Sequence, residues 1–562
     1  MTIRRRSLVL GGLALGSIGP HVGPARAQTR PARDTLTIGM TQFPATLHPN
    51  IESMAAKSYV LGFCQRPFTA RDQRWEQVAM LATALPTIEN GDAVVVDRPD
   101  GTKGVRCRYT IQPSARWGDG TPITTDDVTF TWEVGRHPQS GVGNAEMYRR
   151  IERVEVHDAK SFTLHITKLT FDYSGIDDFR VLPAHVERAR FMADPVAYKE
   201  RTAYITEPTN PALYFGPYRV SEFASGSHIA LEPNPTWWGR APAFRRIVIR
   251  TIENTAALEA NLLSGSIDYI AGELGVTLDQ AIAMARRIGD RYDFQYKAGL
   301  IYEHIDLNLD NPILADRRVR RALLVGCDRA TLVRQLFDNR QPVAATFVSP
   351  LDWVSDADLP PAPYDAREAA RLLDEAGWTV QRDGVRHNAA GDRLTLEMMT
   401  TAGNRSRELV QQVLQSQWRR IGIEVRLRNE PARVFFGETT RGRRFTGMAL
   451  YAWISSPENV PRTMLQSSEI PRAENGFSGQ NYPGFRNAEM DELIDRIEIE
   501  LDRERRRTMW HRIQRIYADE IPVLPLFFRA DSYIMPRWLK GIAPTGHLHP
   551  TSLWAENWHV QE

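Results

Sequence analysis

The stretch from Leu409 to Leu427 constrains the fold most. Leu409, Val413, Leu414 and Trp418 recur at helical spacing, a stop signal stands at Gly422, and Ile423, Val425 and Leu427 then alternate as a strand with one apolar face. A helix led directly into a strand is a unit of an α/β layer. The pattern recurs. Asp365 and Glu368 cap a helix whose Ala369, Leu372, Leu373 and Ala376 share a face before Gly377. Thr124 with Asp127 three residues on caps a helix carrying Val128 and Trp132. Leu36, Ile38 and Met40 alternate as a strand, and so does the run Arg106 to Ile111. Asn487 caps a helix with Met490, Leu493, Ile494 and Ile497 inward, continued or restarted through Trp510, Ile513 and Ile516 to Pro522, with Arg503 to Arg507 as its solvated face.

A chain of 562 residues exceeds what one hydrophobic core serves, so two or more lobes are expected. No internal repeat and no low-complexity linker is visible, which predicts lobes joined by strands that cross between them. With 42% hydrophobic and 25% charged residues the composition is too polar for a membrane bundle and too apolar for disorder. A net charge of +2 without runs of one sign argues against a nucleic-acid partner. Cys64, Cys107 and Cys327 lie far apart with no Cys-x-x-Cys, which excludes a thiolate zinc knuckle and leaves room for one bridge, with Cys64 and Cys107 the candidates.

Chemistry is signalled weakly. Neither a phosphate-cradling Gly-x-x-x-x-Gly-Lys-Ser/Thr nor a Gly-x-Ser-x-Gly elbow occurs. His547-x-His549 beside Pro550 reads as a surface loop rather than a metal site, and Asp126-Asp127 as charge complementing a helix N-terminus. No catalytic residue, metal or cofactor is expected. Residues 1–27 read as a cleaved export signal: basic Arg4-Arg5-Arg6, an apolar run from Leu8 to Ile18 too short to span a bilayer, and Ala25-Arg26-Ala27 before the cut. Arg5-Arg6-Ser7-Leu8-Val9 resembles the twin-arginine pattern, and no cysteine follows the cut to carry a lipid anchor. The mature chain is expected free in a periplasm.

Read together and in order, several segments resemble the family 5 extracellular solute-binding proteins, the peptide- and nickel-binding components of ABC importers. Leu36-Thr37-Ile38-Gly39 followed by Thr46-Leu47-His48-Pro49 is similar to the opening strand and its Thr-Leu-Asp-Pro turn, with His48 in place of Asp. Trp117 to Pro122 running into Asp126-Asp127-Val128 resembles the most recognisable stretch of the family. Tyr214 to Tyr218, Glu232 to Trp238, Asn308, Asp316 to Ala322, Asp328-Arg329, Asp365 to Trp378 and Pro522 to Leu526 match further segments collinearly.

The resemblance implies an α/β, bilobal periplasmic-binding-protein fold of the large cluster, with an extra subdomain in the first lobe. Lobe I is expected at 34–300 and again at 525–562, and lobe II at 301–524. Hinge strands are expected near Tyr302 to Asn308 and Leu524 to Phe528. The implied function is capture of a peptide or peptide-like solute between closing lobes, by a monomer that delivers it to ABC permease subunits in the inner membrane, without catalysis. A receptor presenting ligand to a sensor, a nickel-chelate or other non-peptide binder, and a secreted hydrolase are the alternatives. In peptide-binding relatives an acidic side chain holds the terminal ammonium. Here the family's Trp-x-x-Asp reads Trp453-Ile454-Ser455-Ser456, so Ser456 stands at the carboxylate position and Glu458 is the candidate substitute. By position, Phe43, Tyr302, His304, Arg433, Phe435, Tyr482 and Phe485 join Trp453 as expected ligand-binding residues.

Overall fold

Thr35–Met40 buries Leu36, Ile38 and Met40 at the centre of one half of a ten-stranded sheet. The computed structural model describes residues 33–51, 54–475, 477 and 479–561. The export signal read at residues 1–27 lies outside them. From one edge to the other the strands are Glu424–Leu427, Thr395–Met399, Met448–Ile454, Tyr292–Leu307, Val523–Pro536, Tyr269–Ile270, Thr35–Met40, Arg246–Thr251, His228–Pro233 and Tyr218–Ala224. The sheet is mixed: parallel pairs, such as Thr35–Met40 with Arg246–Thr251, lie in each half, and the central pairs between them are antiparallel.

The two long central strands, of 16 and 14 residues, pass from one lobe to the other. The first begins ten residues before the hinge segment expected near Tyr302 to Asn308, and the second runs eight residues past the one expected near Leu524 to Phe528. Tyr292 to Gly299 does alternate, with Tyr292, Phe294 and Tyr296 on one face and Asp293, Gln295 and Lys297 on the other, a strand signal that the sequence reading passed over. The lobes have separate cores. Leu36, Ile38, Tyr59, Phe63, Tyr218 and Ile247 belong to one, and Ile305, Leu323, Leu396, Leu414, Trp418 and Leu450 to the other. A four-stranded antiparallel sheet, ordered Ala93–Asp97, Lys103–Thr110, Ser161–Ile166 and Ile151–Val156, carries a third core around Phe68, Tyr109, Trp117 and Phe162.

Local signals in the sequence correspond to real caps. Thr124 and Asp127 form a reciprocal capping box on Thr125–Arg136. Asp365 and Asn487 accept first-turn N–H bonds of Ala366–Glu375 and Ala488–Ile497. Gly377 and Gly422 have φ of +89° and +87°, left-handed values that a glycine adopts without a Cβ clash. The helix Arg405–Arg420 turns Val410, Leu414 and Trp418 inward, while Leu409 is exposed, so the buried face is displaced by one residue from the sequence reading.

Two other readings are corrected. Cys64, Cys107 and Cys327 are free and buried in three different cores, so Cys64 and Cys107 form no bridge. His549 is buried, accepting the Arg71 N–H, and His547 bonds the Asp72 carbonyl, so the pair is internal structure rather than a surface loop. Its burial pushes His547 down to about 4. His48 organises its own turn: Nδ1 accepts the N–H groups of Asn50 and Ile51, both at 3.2 Å, and burial holds the ring well below the usual histidine range.

The Arg503–Glu520 helix presents Arg506 to the interior, against the expectation of a fully solvated Arg503 to Arg507 face. Its guanidinium pairs with Glu458, with side chains 9% and 6% exposed, and lies 4.6 Å from the Phe171 ring centroid of the subdomain. Around this pair the subdomain meets the second lobe: the Phe171 N–H donates to the Glu498 carbonyl at 2.9 Å, Lys168 pairs with the Glu498 carboxylate at 2.7 Å, and Arg503 pairs with Glu76 at 2.9 Å. Removing one charge of a buried pair strands the other. Glu458→Gln is therefore expected to cost about 3 kcal/mol in urea unfolding. A loss under about 1 kcal/mol, the range of a solvated pair, would contradict the buried assignment.

Candidate ligand site

The strand Met448–Ile454 changes character along its length. At Met448 and Ala449 it is paired on both sides, with Leu307 and Asp306 on one and with Met398 and Met399 on the other. From Leu450 onward the second partner is gone. The Leu450 carbonyl accepts the Thr400 hydroxyl at 2.8 Å, and among the described residues no strand continues the ladder on that side. The Ser455 N–H turns the other way, to the Leu300 carbonyl at 3.3 Å. By the two-residue period of a strand, the N–H and C=O groups of Ala452 and Ile454 therefore point to the unpaired edge. Ile454 is 66% exposed beside it. Such an edge is a template for an extended chain.

The two faces beside this edge differ chemically. On one, Tyr302, His304, Trp453 and Tyr482 stack in sequence: ring centroids are 5.0 Å apart for Tyr302 and His304, 6.5 Å for His304 and Trp453, and 6.1 Å for Trp453 and Tyr482. Pairing of neighbouring strands in register sets this stack, since Tyr302 lies opposite Trp453 and His304 opposite Tyr451. The Tyr451 hydroxyl donates to the buried Asp306 carboxylate, and His304 Nε2 lies 3.4 Å from the same group. Burial and the charge of Asp306 both push the Tyr451 hydroxyl well above its ordinary range. The rings fill their own space, leaving a void of about 20 Å³. Trp453 is half-buried.

On the other face lies a cavity of about 350 Å³ built from both lobes. Thr41 and Gln42 reach it from the end of the opening strand, Ile301, Glu303, Arg529 and Asp531 from the crossing strands, and Asn404, Ser406 and Arg407 from the start of the Arg405–Arg420 helix. Glu303 is buried and holds two cations, Arg407 with Nε at 3.1 Å and Arg529. An extended occupant on the edge would send alternate side chains to the ring face and to this cavity. A second cavity of similar volume, between Ala55–Cys64 and the Leu548 to Leu553 segment, is lined by the first lobe alone.

The structure brings together Tyr302, His304, Trp453, Tyr482 and Phe435, the last 5.9 Å from Tyr451. Ser456 follows the free edge. Glu458 does not face it: one oxygen takes Arg506, the other accepts the Trp353 indole N–H at 3.2 Å, and its backbone N–H donates to Asp352. Its carboxylate is committed to these partners. Phe43 packs on Phe223, 5.2 Å away, in the first lobe. Phe485 belongs to the core of Met490 and Trp510, and Arg433 is exposed on the short helix Ala432–Val434. Sequence reading missed Glu303, Asp306, Arg407, Arg529 and Asp531. The available signal was charge inside apolar strand runs, as in Phe527-Phe528-Arg529-Ala530-Asp531.

Comparison with known proteins agrees with this architecture. Residues 99–471 match the family model for bacterial extracellular solute-binding proteins, family 5. Over 446 residues, 78% of either chain, the sequence is 25% identical to the oligopeptide-binding protein AppA of Bacillus subtilis (strain 168). The crystal structure of the oligopeptide binding protein from Thermus thermophilus complexed with pentapeptide aligns with a TM-score of 0.68 at 30% identity, covering 94% of this chain and 96% of that one. NikA from Brucella suis in complex with Fe(III)-EDTA shares the fold at 18% identity, with a TM-score of 0.74 over 94% of this chain and 100% of its own. With its two lobes, crossing strands and matched central segment, the chain belongs to the family 5 bacterial extracellular solute-binding proteins, the solute-capturing components of ABC importers.

Proposed function

We propose that this protein captures peptides in extended form along the outer edge of Leu450 to Ile454 and delivers them to an ABC permease. The observation that carries the reading is the unpaired edge itself, set between an aromatic face and a cavity lined by both lobes. Main-chain bonds to Ala452 and Ile454 would hold any sequence, while side chains alternate between the two faces. A ligand touching both lobes stabilises their closed arrangement, and that difference is what a permease can sense. No bond is made or broken in this cycle, so the protein acts as a non-catalytic carrier, and one chain supplies both lobes of the site. Lobe I comprises 34–300 with 525–562, and lobe II 301–524. Support for a periplasmic site of action comes from the family and from the export signal, with a twin-arginine route, cleavage after Ala27 and no lipid anchor.

Isothermal titration with pentaalanine and with copies N-methylated at each internal nitrogen tests the edge. Methylation at a nitrogen that donates to the strand removes a bond and is expected to weaken binding about tenfold. Equal binding by every methylated copy would contradict an edge-bound peptide. Trp453→Ala removes the ring that borders the edge, and an affinity loss of about tenfold with little change in melting temperature is expected. An unchanged affinity would place the ligand away from the aromatic face.

A further inference from the structure

The cavity on the Glu303 face is unevenly supplied with hydrogen-bonding groups. Its arginines are engaged, since Arg407 gives Nε and Nη2, and Arg529 gives Nη2, to the Glu303 carboxylate. Two of its acceptors are idle. Gln341, 5% exposed, has a buried Oε1 with no partner. Glu273 is better supplied, accepting the N–H and hydroxyl of Thr551 on Oε1 at 2.8 and 2.9 Å with the Tyr533 hydroxyl beside its carboxylate. Asp531, half-buried on the second crossing strand, receives no hydrogen bond from the described residues. Lys297, its register partner, runs instead toward Gly546. Buried acceptors without donors are costly until something supplies them.

We propose that this cavity is a subsite for a cationic nitrogen group of the ligand, an ammonium or guanidinium, with Asp531 as counter-ion and Gln341 as a further acceptor. The inference rests on the peptide reading above and gives it a chemistry: the positive charge that Ser456 cannot meet is met on the second crossing strand. In a peptide the cation comes from the terminal amine or from a Lys or Arg side chain. The groups facing Asp531 are Glu273 from the turn Gly272–Leu274, Arg529 and the Tyr533 hydroxyl from its own strand, and Lys297 from the paired strand, with Asp279 and the Glu303–Arg407 pair further round the cavity. Burial, then the charge of Glu273, pushes the Asp531 carboxyl up to about 7, with Arg529 opposing. The carboxylate is therefore ionised above that pH, and affinity for a cation rises as pH increases through it.

The test titrates the mature chain with pentaalanine, N-acetyl-pentaalanine, Ala-Ala-Lys-Ala-Ala, its norleucine analogue and agmatine, at pH 7.5 and 5.5, for wild type, Asp531→Asn and Asp531→Glu. Loss of the cation, by acetylation if the amine is read or by norleucine if the side chain is read, is expected to weaken wild-type binding at least about tenfold. Asp531→Asn should bind charged and uncharged probes alike, Asp531→Glu should keep part of the preference, and the preference should shrink at pH 5.5. Melting curves establish that both variants fold. A preference unchanged in Asp531→Asn, or peptide binding indifferent to the cation, overturns the subsite and leaves the peptide reading standing. Agmatine binding that needs Asp531, without any peptide binding, keeps the subsite and removes the peptide reading. Failure of every probe overturns both.

Discussion

The ladder between Tyr292–Leu307 and Val523–Pro536 determines where everything else in the molecule sits. Antiparallel pairing runs from Tyr292 and Pro536 to Ala298 and Ala530, and resumes at Tyr302 and Phe528. In between, Gly299, Leu300 and Ile301 oppose Arg529 alone. Such a bulge bends a ladder and re-aims the side chains beyond it. Gly299 fits because a Cβ there would sit 2.8 Å from the Gly546 carbonyl oxygen. Past the bulge, Tyr302 and His304 point to the aromatic face and Ile301 and Glu303 to the two-lobed cavity, so the register of this ladder sets the chemistry of both sides of the free edge.

Buried charge then fixes the geometry. Glu303 ties a helix of the second lobe, through Arg407, to the second crossing strand, through Arg529. Asp306 anchors the Tyr451 hydroxyl next to the ring stack. Such groups contribute less to net stability than apolar residues of the same size, but they leave few alternative arrangements for their neighbours. A preformed edge and a preformed cavity reduce the ordering cost of binding, which suits a carrier that has to accept varied side chains through main-chain contacts.

Much of this was legible in the sequence where physics acts locally. Thr124 with Asp127, Asp365 and Asn487 cap the helices they were read to cap, because a cap depends on residues three positions apart. The family resemblance pointed to Trp453, and position along the chain to Tyr302, His304 and Tyr482, the rings that stack with it. What stayed hidden depends on partners distant in sequence. Arg506 looked solvated in a charged helix until Glu458, 48 residues away, was placed against it. Asp531 and Gln341 acquire their character from a cavity formed by segments hundreds of residues apart. Val410 instead of Leu409 faces the core because the helix phase is set by its neighbours, and short apolar runs tolerate a shift of one residue.

The most direct test of the account is native mass spectrometry of the mature protein purified from its own periplasm, followed by denaturation and identification of what is released. Short peptides are the predicted cargo, of mixed sequence because the edge reads backbone, and sharing a positive charge. A single non-peptide species, such as a metal chelate, would contradict the claim that the free edge of Leu450 to Ile454 is the recognition element.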